Sequence, residues 1–341
     1  MRLPRPGQWP LIALLAGSTV VFGVLLWWLL FHHDSPRHAA PPPPPATTSP
    51  PPATTTAPAT TTPPAPTTTP PTTTAPPPTT TAPAAPTPVA FSWDDAGGLV
   101  YHPSEIDPQW LGRQMRAAGF GWVAVFLGDG PSLAAPDAGW IYRFQLASGL
   151  PVGGWSVLRD DPAGEATAAA SLVSASGLSF YIADAEAEYA YTDVNGQSGD
   201  SVQYERSQAF VSTFRALEPT LPAGLSSYCR PDQHDLDWAT WAKAGFVFLP
   251  QAYTNDFGGA ATPTSCVDGA AGFFPRADVH PTIGSYFGSL GAVPPSTSIA
   301  DLHAAGTKGF SIFPAEVNTT ADDWAAYGRG IATLGIATPA G

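Results

Sequence analysis

The sequence predicts an α/β fold, a TIM (β/α)8 barrel over residues 89–341, preceded by a single transmembrane helix and a disordered Pro/Thr-rich linker. Three observations predict the barrel. Eight short apolar, β-branched or aromatic runs recur along this stretch, and segments of helical period fall between most of them. The fourth run ends in "ADAEAEY", carboxylates at the strand end where such a barrel presents its reacting groups.

In chain order, residues 1–10 form a short cytoplasmic N-terminus and residues 11–31, "LIALLAGSTVVFGVLLWWLLF", carry no charge. That span is long enough to cross about 30 Å of hydrocarbon as a helix. Arg2 and Arg5 precede it, so the positive-inside bias puts everything after Phe31 outside the cell. Secretion after signal cleavage is the competing reading, but the apolar core exceeds a usual h-region and the flank "HHDSPRHAAPPPP" is a poor cleavage pattern. Residues 32–88, dominated from Pro41 by Pro, Thr and Ala, have no apolar pattern able to offset chain entropy. They read as an extracellular linker that reaches on the order of 100 Å at about 3.1 Å per residue, its threonines suited to O-glycosylation.

The eight runs are "VAFSW" (89–93), "GWVAVFL" (121–127), "PVGGWSVL" (151–158), "SFYIADAE" (179–186), "AGLSSYC" (223–229), "FVFLPQAY" (246–253), "TIGSYF" (282–287) and "GFSIFPAE" (309–316). Helical segments such as "DPQWLGRQMRAAG" and "DLDWATWAKAG" stop at Gly119 and Gly245, as "DDWAAYGRGIATLG" stops at Gly335, which suits left-handed C-caps feeding the next strand. The stretch after the sixth run shows no clean helix. A doubly wound open sheet is the rival architecture, but "DDAGGLVY" is a poor match to its Gly-rich phosphate turn, and no cofactor is implied.

The chain carries 27 Asp and Glu against 14 Lys and Arg, a formal net charge of −13. Nucleic acid is therefore excluded as a partner, since binding it requires a basic face. Cys229 and Cys266 both fall on the extracellular side, where a disulfide is reasonable.

Strand residues alternate faces, so Phe180, Ile182, Asp184, Glu186 and Glu188 share one side. Apolar members fill the barrel, and the acids begin where it opens. Carboxylates two apart are roughly 6–7 Å apart at Cα, so mutual repulsion and partial burial separate their pKa values. A neutral acid beside an ionised partner is what glycosidic cleavage requires. Pairing with Arg159 or Arg206, or a divalent cation on Asp184, Glu186, Glu188 and Asp193, are the alternatives; no calcium-loop pattern favours the metal. Trp93, Trp155, Tyr228, Tyr253 and Tyr286 near other strand ends offer flat rings for stacking on sugars, and Asp94, Gln251 and Glu316 offer hydrogen-bonding groups. Asp129 and Asp160 sit one or two residues into loops.

These stretches resemble the lysozyme-like (muramidase) barrels of glycoside hydrolase family 25 and their relatives. "PVGGWSVLRDDPAGEA" is similar to that family's third strand and following helix, "YIADAEAEY" to its fourth strand with an Asp-x-Glu pair, and "FLPQAY" to its sixth strand. The resemblance implies Glu186 as proton donor, Asp184 as its partner and an acid at Asp94 or Asp95; "EVN" at 316–318 stands where the family has an Asp-x-Asn ending. "FSWDDAGG" departs from the family's Gly-x-Asp-x-Ser opening, and Glu188 is an additional acid. Two functions follow: a membrane-anchored extracellular glycoside hydrolase acting on cell-wall polysaccharide of the peptidoglycan type, or a non-catalytic glycan-binding or scaffolding barrel.

Overall fold

The computed structural model describes residues 90–186, 200–234, 236–316 and 319–336. The apolar N-terminal segment, the linker, Glu188, Asp193 and Asn318 lie outside the described residues. Among those described, no helix is long and apolar enough to cross a membrane.

In chain order the strands are β1 (Ala96–Val100), β2 (Trp122–Asp129), β3 (Ser132–Leu133), β4 (Val152–Val157), β5 (Tyr181–Asp184), β6 (Ala223–Tyr228), β7 (Phe246–Ala252), β8 (Thr282–Gly284) and β9 (Phe310–Phe313). All but β3 pair in parallel, and β1 pairs with both β2 and β9, which closes an eight-stranded TIM barrel. The short β3 folds back antiparallel on the end of β2. A register shift between Phe126 and Gly128, with Gly128 at φ +142°, bends the end of β2 at this point and aims Asp129 toward the loop after β4.

The alternation of faces decides what goes where. Outward residues of the strands, among them Val123, Val125, Tyr181, Ala183, Leu225 and Phe248, join the large core shared with the surrounding helices. Inward residues Leu99, Trp122, Ala124, Trp155, Phe180, Ile182 and Leu249 form a second cluster inside the barrel. The helices are punctuated as the glycines predict: Gly119, Gly245 and Gly335 all have positive φ, at 81°, 74° and 69°. After β7 come only short helices, Thr254–Phe257 and Pro263–Gly269, and a disulfide ties Cys229 at the end of β6 to Cys266 in the second of them. A bridge across this separation contributes about 3–4 kcal/mol in the chain-entropy model.

The first strand differs from the expectation. Residues 89–93 do not form it; β1 is Ala96–Val100, "AGGLV", a run whose two glycines hide its strand character. The structure requires small residues there, because a Cβ at Gly97 would lie 2.1 Å from the Trp122 ring. The segment before β1 instead plugs the N-terminal end of the barrel. Phe91 stacks on Phe180 at 4.1 Å between ring centroids, and Trp93 meets Trp122 and Phe180 edge-on at 5.6 and 5.3 Å. Glycines again make the space: Cβ atoms at Gly153 and Gly224 would collide with Phe180 and with Leu249 and Trp93.

Candidate functional site

The C-terminal end of the barrel opens as an acidic mouth with aromatic walls. Asp184 ends β5 on the inward parity, and Glu186 follows two residues later. Asp184 is only 7 % exposed. The amide of Gln251, from β7, reaches across the mouth: its Nε2 donates to Asp184 Oδ1 at 3.1 Å and to Glu186 Oε1 at 2.6 Å. The same nitrogen lies 3.4 Å from Ser226 Oγ on β6, so three strands converge on one polar knot.

Burial pushes the Asp184 carboxyl well above the ordinary carboxylate range, and the neighbouring Glu186 charge raises it further. Hydrogen bonds from Ser226 and Gln251 and the more distant Arg159 charge oppose this without cancelling it. Asp184 therefore holds its proton into a pH range where an exposed aspartate has lost it. Arg159 directs its fork at Asp129, with Nη2 2.6 Å from Asp129 Oδ2. Glu165, buried in the first turn of the helix Pro162–Ser176, accepts from the Arg159 backbone N–H at 2.8 Å and fixes that loop.

The walls are rings in sequence around the mouth. Phe126 and Trp155 are 4.6 Å apart, Trp155 and Phe313 5.8 Å, Phe313 and Tyr253 6.0 Å, and Tyr253 and Tyr286 6.0 Å. Tyr101, 39 % exposed, packs over Phe126 at 4.8 Å. Tyr253 is buried, and its phenol is raised by burial and then by Tyr286, Asp184 and Glu186, which places the hydroxyl in the electrostatic range of the acids. The Tyr286 hydroxyl donates to Asp256, whose Oδ1 also accepts from the Ser289 backbone at 2.7 Å.

Of the residues singled out in the sequence, the mouth brings together Asp184, Glu186, Gln251, Tyr253, Tyr286 and Trp155. Trp155 is a wall rather than a free platform: it is buried and its indole N–H donates to the Val100 carbonyl at 3.1 Å. Tyr228 ends β6 and stacks on His234 at 4.2 Å. Glu316 is at the mouth but occupied, its Oε1 accepting from the backbone N–H groups of Tyr101 and His102, both at 2.6 Å, which laces the end of β9 to the end of β1. Trp93 and Asp94 are corrections. They precede β1, so they sit at the opposite end of the barrel, where a Cβ on Gly309 would touch the Trp93 carbonyl; neither can meet a ligand held by Asp184. The structure adds Tyr101, Phe126, Phe313 and Ser226 to the mouth. The parity of their strands marks them as inward, but Tyr101 is found only once β1 is placed correctly. Among the described residues, no three His, Cys, Asp or Glu side chains gather in a way that could hold a metal ion.

No protein-family profile matches the sequence, and none of the curated proteins matches it. Solved structures do share its fold. A double mutant of the GH18 chitinase from Cycas revoluta, in complex with (GlcNAc)4, superposes with a TM-score of 0.50 at 10% identity, covering 70% of this chain and 99% of that one. A GH18 chitinase from Pseudoalteromonas aurantia does so with a TM-score of 0.50 at 14% identity, over 70% and 99%. The class these likenesses define is the TIM-barrel fold, and in this chain the acids stand at its C-terminal mouth.

Proposed function

We propose that this chain is an extracellular glycoside hydrolase acting on cell-wall glycan, with Glu186 as proton donor and Asp184 as its partner. The observation that carries the reading is the acid pair itself, one member buried and one at the opening, set among aromatic walls suited to sugar faces. Two carboxylates this close cannot both ionise freely, and burial together with the Glu186 charge raises the Asp184 carboxyl, so the pair holds a proton to higher pH than separate acids would.

Its spacing also bears on mechanism. Both carboxyl oxygens touch one nitrogen, at 3.1 and 2.6 Å. Two oxygens that share one nitrogen at these lengths lie closer together than the about 6.5–9.5 Å an inverting pair leaves for its water. Asp184 thus serves to hold a proton and support charge rather than to activate water on the far face. A substrate with a 2-acetamido group, like the (GlcNAc)4 bound by the Cycas chitinase, can supply its own nucleophile, as in family 18. The Asp-x-Glu strand is the ground for the finer, family-25 and lysozyme-like reading, in which the glycan is peptidoglycan. Tethering through residues 11–31 and a stalk of residues 32–88 is proposed on sequence alone.

The test is release of reducing ends by the full chain from purified peptidoglycan and from chitin oligomers, alongside Glu186→Gln and Glu188→Gln. Glu186→Gln is expected to lower the rate by about 10²–10⁴-fold with glycan affinity little changed. A larger loss from Glu188→Gln would move the donor role to that residue. A wild-type chain that binds glycan and releases nothing at any pH would make this a binding barrel.

A further inference from the structure

We propose that Gln251 is a positioning residue whose single amide nitrogen clamps Asp184 and Glu186 into one proton-sharing unit, and that this nitrogen is not offered to substrate. This rests on the acid pair assigned above and specifies how that site is regulated by protonation. An amide nitrogen carries two hydrogens. Here it is within 3.1 Å of one carboxyl oxygen, 2.6 Å of the other and 3.4 Å of Ser226 Oγ, so its donors are committed within the protein. The side chain is also buried, 8 % exposed, on a strand that pairs with β6 from Phe246 to Gln251, which leaves it little freedom to turn toward a ligand.

The clamp explains how two acids on one strand are kept at hydrogen-bonding range of a common point despite their repulsion. An amide is neutral at every working pH, so it can stabilise negative charge on either carboxylate without choosing between them. An Arg in its place would favour ionisation of both acids and leave no proton to donate; an apolar residue would leave Asp184 without a hydrogen-bond donor from β7. Among the described residues, the charged and titratable groups that act on Asp184 are Glu186 beyond its own strand, Tyr181 on β5, Arg159 after β4 and Tyr253 after β7, with the neutral Ser226 on β6. Gln251, which is neutral, touches both acids.

The decisive experiment follows protonated carboxyl by pH-difference infrared spectroscopy on the full chain without substrate, the Asp184 signal being assigned by its loss in Asp184→Asn. Gln251→Leu removes the donors. In that variant the Asp184 proton is expected to be held about one pH unit higher, since a hydrogen bond to the charged form has been lost. In the glycan-release assay the pH profile moves with it, and kcat falls about tenfold or more while KM stays near wild type. Gln251→Glu, which keeps the shape and replaces the donor by a further acid, serves if the leucine variant does not fold, and is expected to shift the titration in the same direction. An unshifted Asp184 titration in a folded variant overturns the clamp, as does a risen KM with unchanged kcat and pH profile, which would make Gln251 a substrate contact. A chain with no hydrolytic activity at all would sink the proposed function, while the infrared titration still decides the clamp.

Discussion

The two ends of this barrel are built from similar residues and are opposite in character. The N-terminal end is sealed by Phe91, Trp93, Trp122 and Phe180, rings packed on one another and into notches left by glycine. The C-terminal end is lined by Tyr101, Phe126, Trp155, Tyr253 and Phe313, rings at similar spacing, but they surround Asp184, Glu186 and Gln251. Titratable groups behave accordingly. At the closed end His280, 2 % exposed, is driven neutral by burial, its pKa lowered to about 4. At the open end burial instead raises the Asp184 carboxyl and favours its protonated form. Aromatic content therefore says little about where a ligand binds; the polar groups that the rings enclose say more.

The comparison breaks most readily at the plug. Phe180→Ala removes a fully buried ring that Phe91, Trp93 and Trp122 all contact, and is expected to cost about 3–5 kcal/mol in chemical denaturation. A cost below about 1 kcal/mol would mean that the segment before β1 does not seal the barrel. A smaller effect is expected from Gly153→Ala, whose new methyl would lie 2.4 Å from the Phe180 ring; about 1–3 kcal/mol should be lost, read as a fall in Tm. Both changes lie a barrel length from the acids, so glycan affinity should be unaffected.

The sequence revealed the mouth better than the plug, for a physical reason. Strands β2 and β4 to β9 announce themselves by β-branched and aromatic residues, and period two along "FYIADAE" correctly separates the inward Phe180, Ile182 and Asp184 from the outward Tyr181, Ala183 and Ala185. β1 conceals itself, because Gly97 and Gly98 must stay small against Trp122 and against Met115 and Ala315. With "VAFSW" read as the first strand, Trp93 and Asp94 fall at the mouth and Tyr101 does not. Glu316 shows a different limit: an acid at a strand end is legible, but its capture by the backbone of Tyr101 and His102 depends on closure between the first and last strands.

The smallest expected effect has the opposite sign and separates the two ends by pH. Asp184 has a folded-state pKa above its unfolded value, so the native state binds more protons; its contribution is fully present below the unfolded value and is lost as pH rises through the raised one. His280 is depressed to about 4, so its contribution is present above the unfolded value near 6.5 and is lost as pH falls toward 4. The mouth thus weakens the protein on the neutral side and the plug weakens it on the acid side. Asp184→Asn removes only the first. Its Tm should exceed that of the wild type near neutrality, and the gain should vanish on acidification, while the acid-side decline set by His280 persists in both proteins. Thermal melts across pH test this directly. If Asp184→Asn melts below the wild type at neutral pH, the buried carboxyl is stabilised by its partners in the ionised form, and the mouth does not store the proton that the proposed chemistry requires.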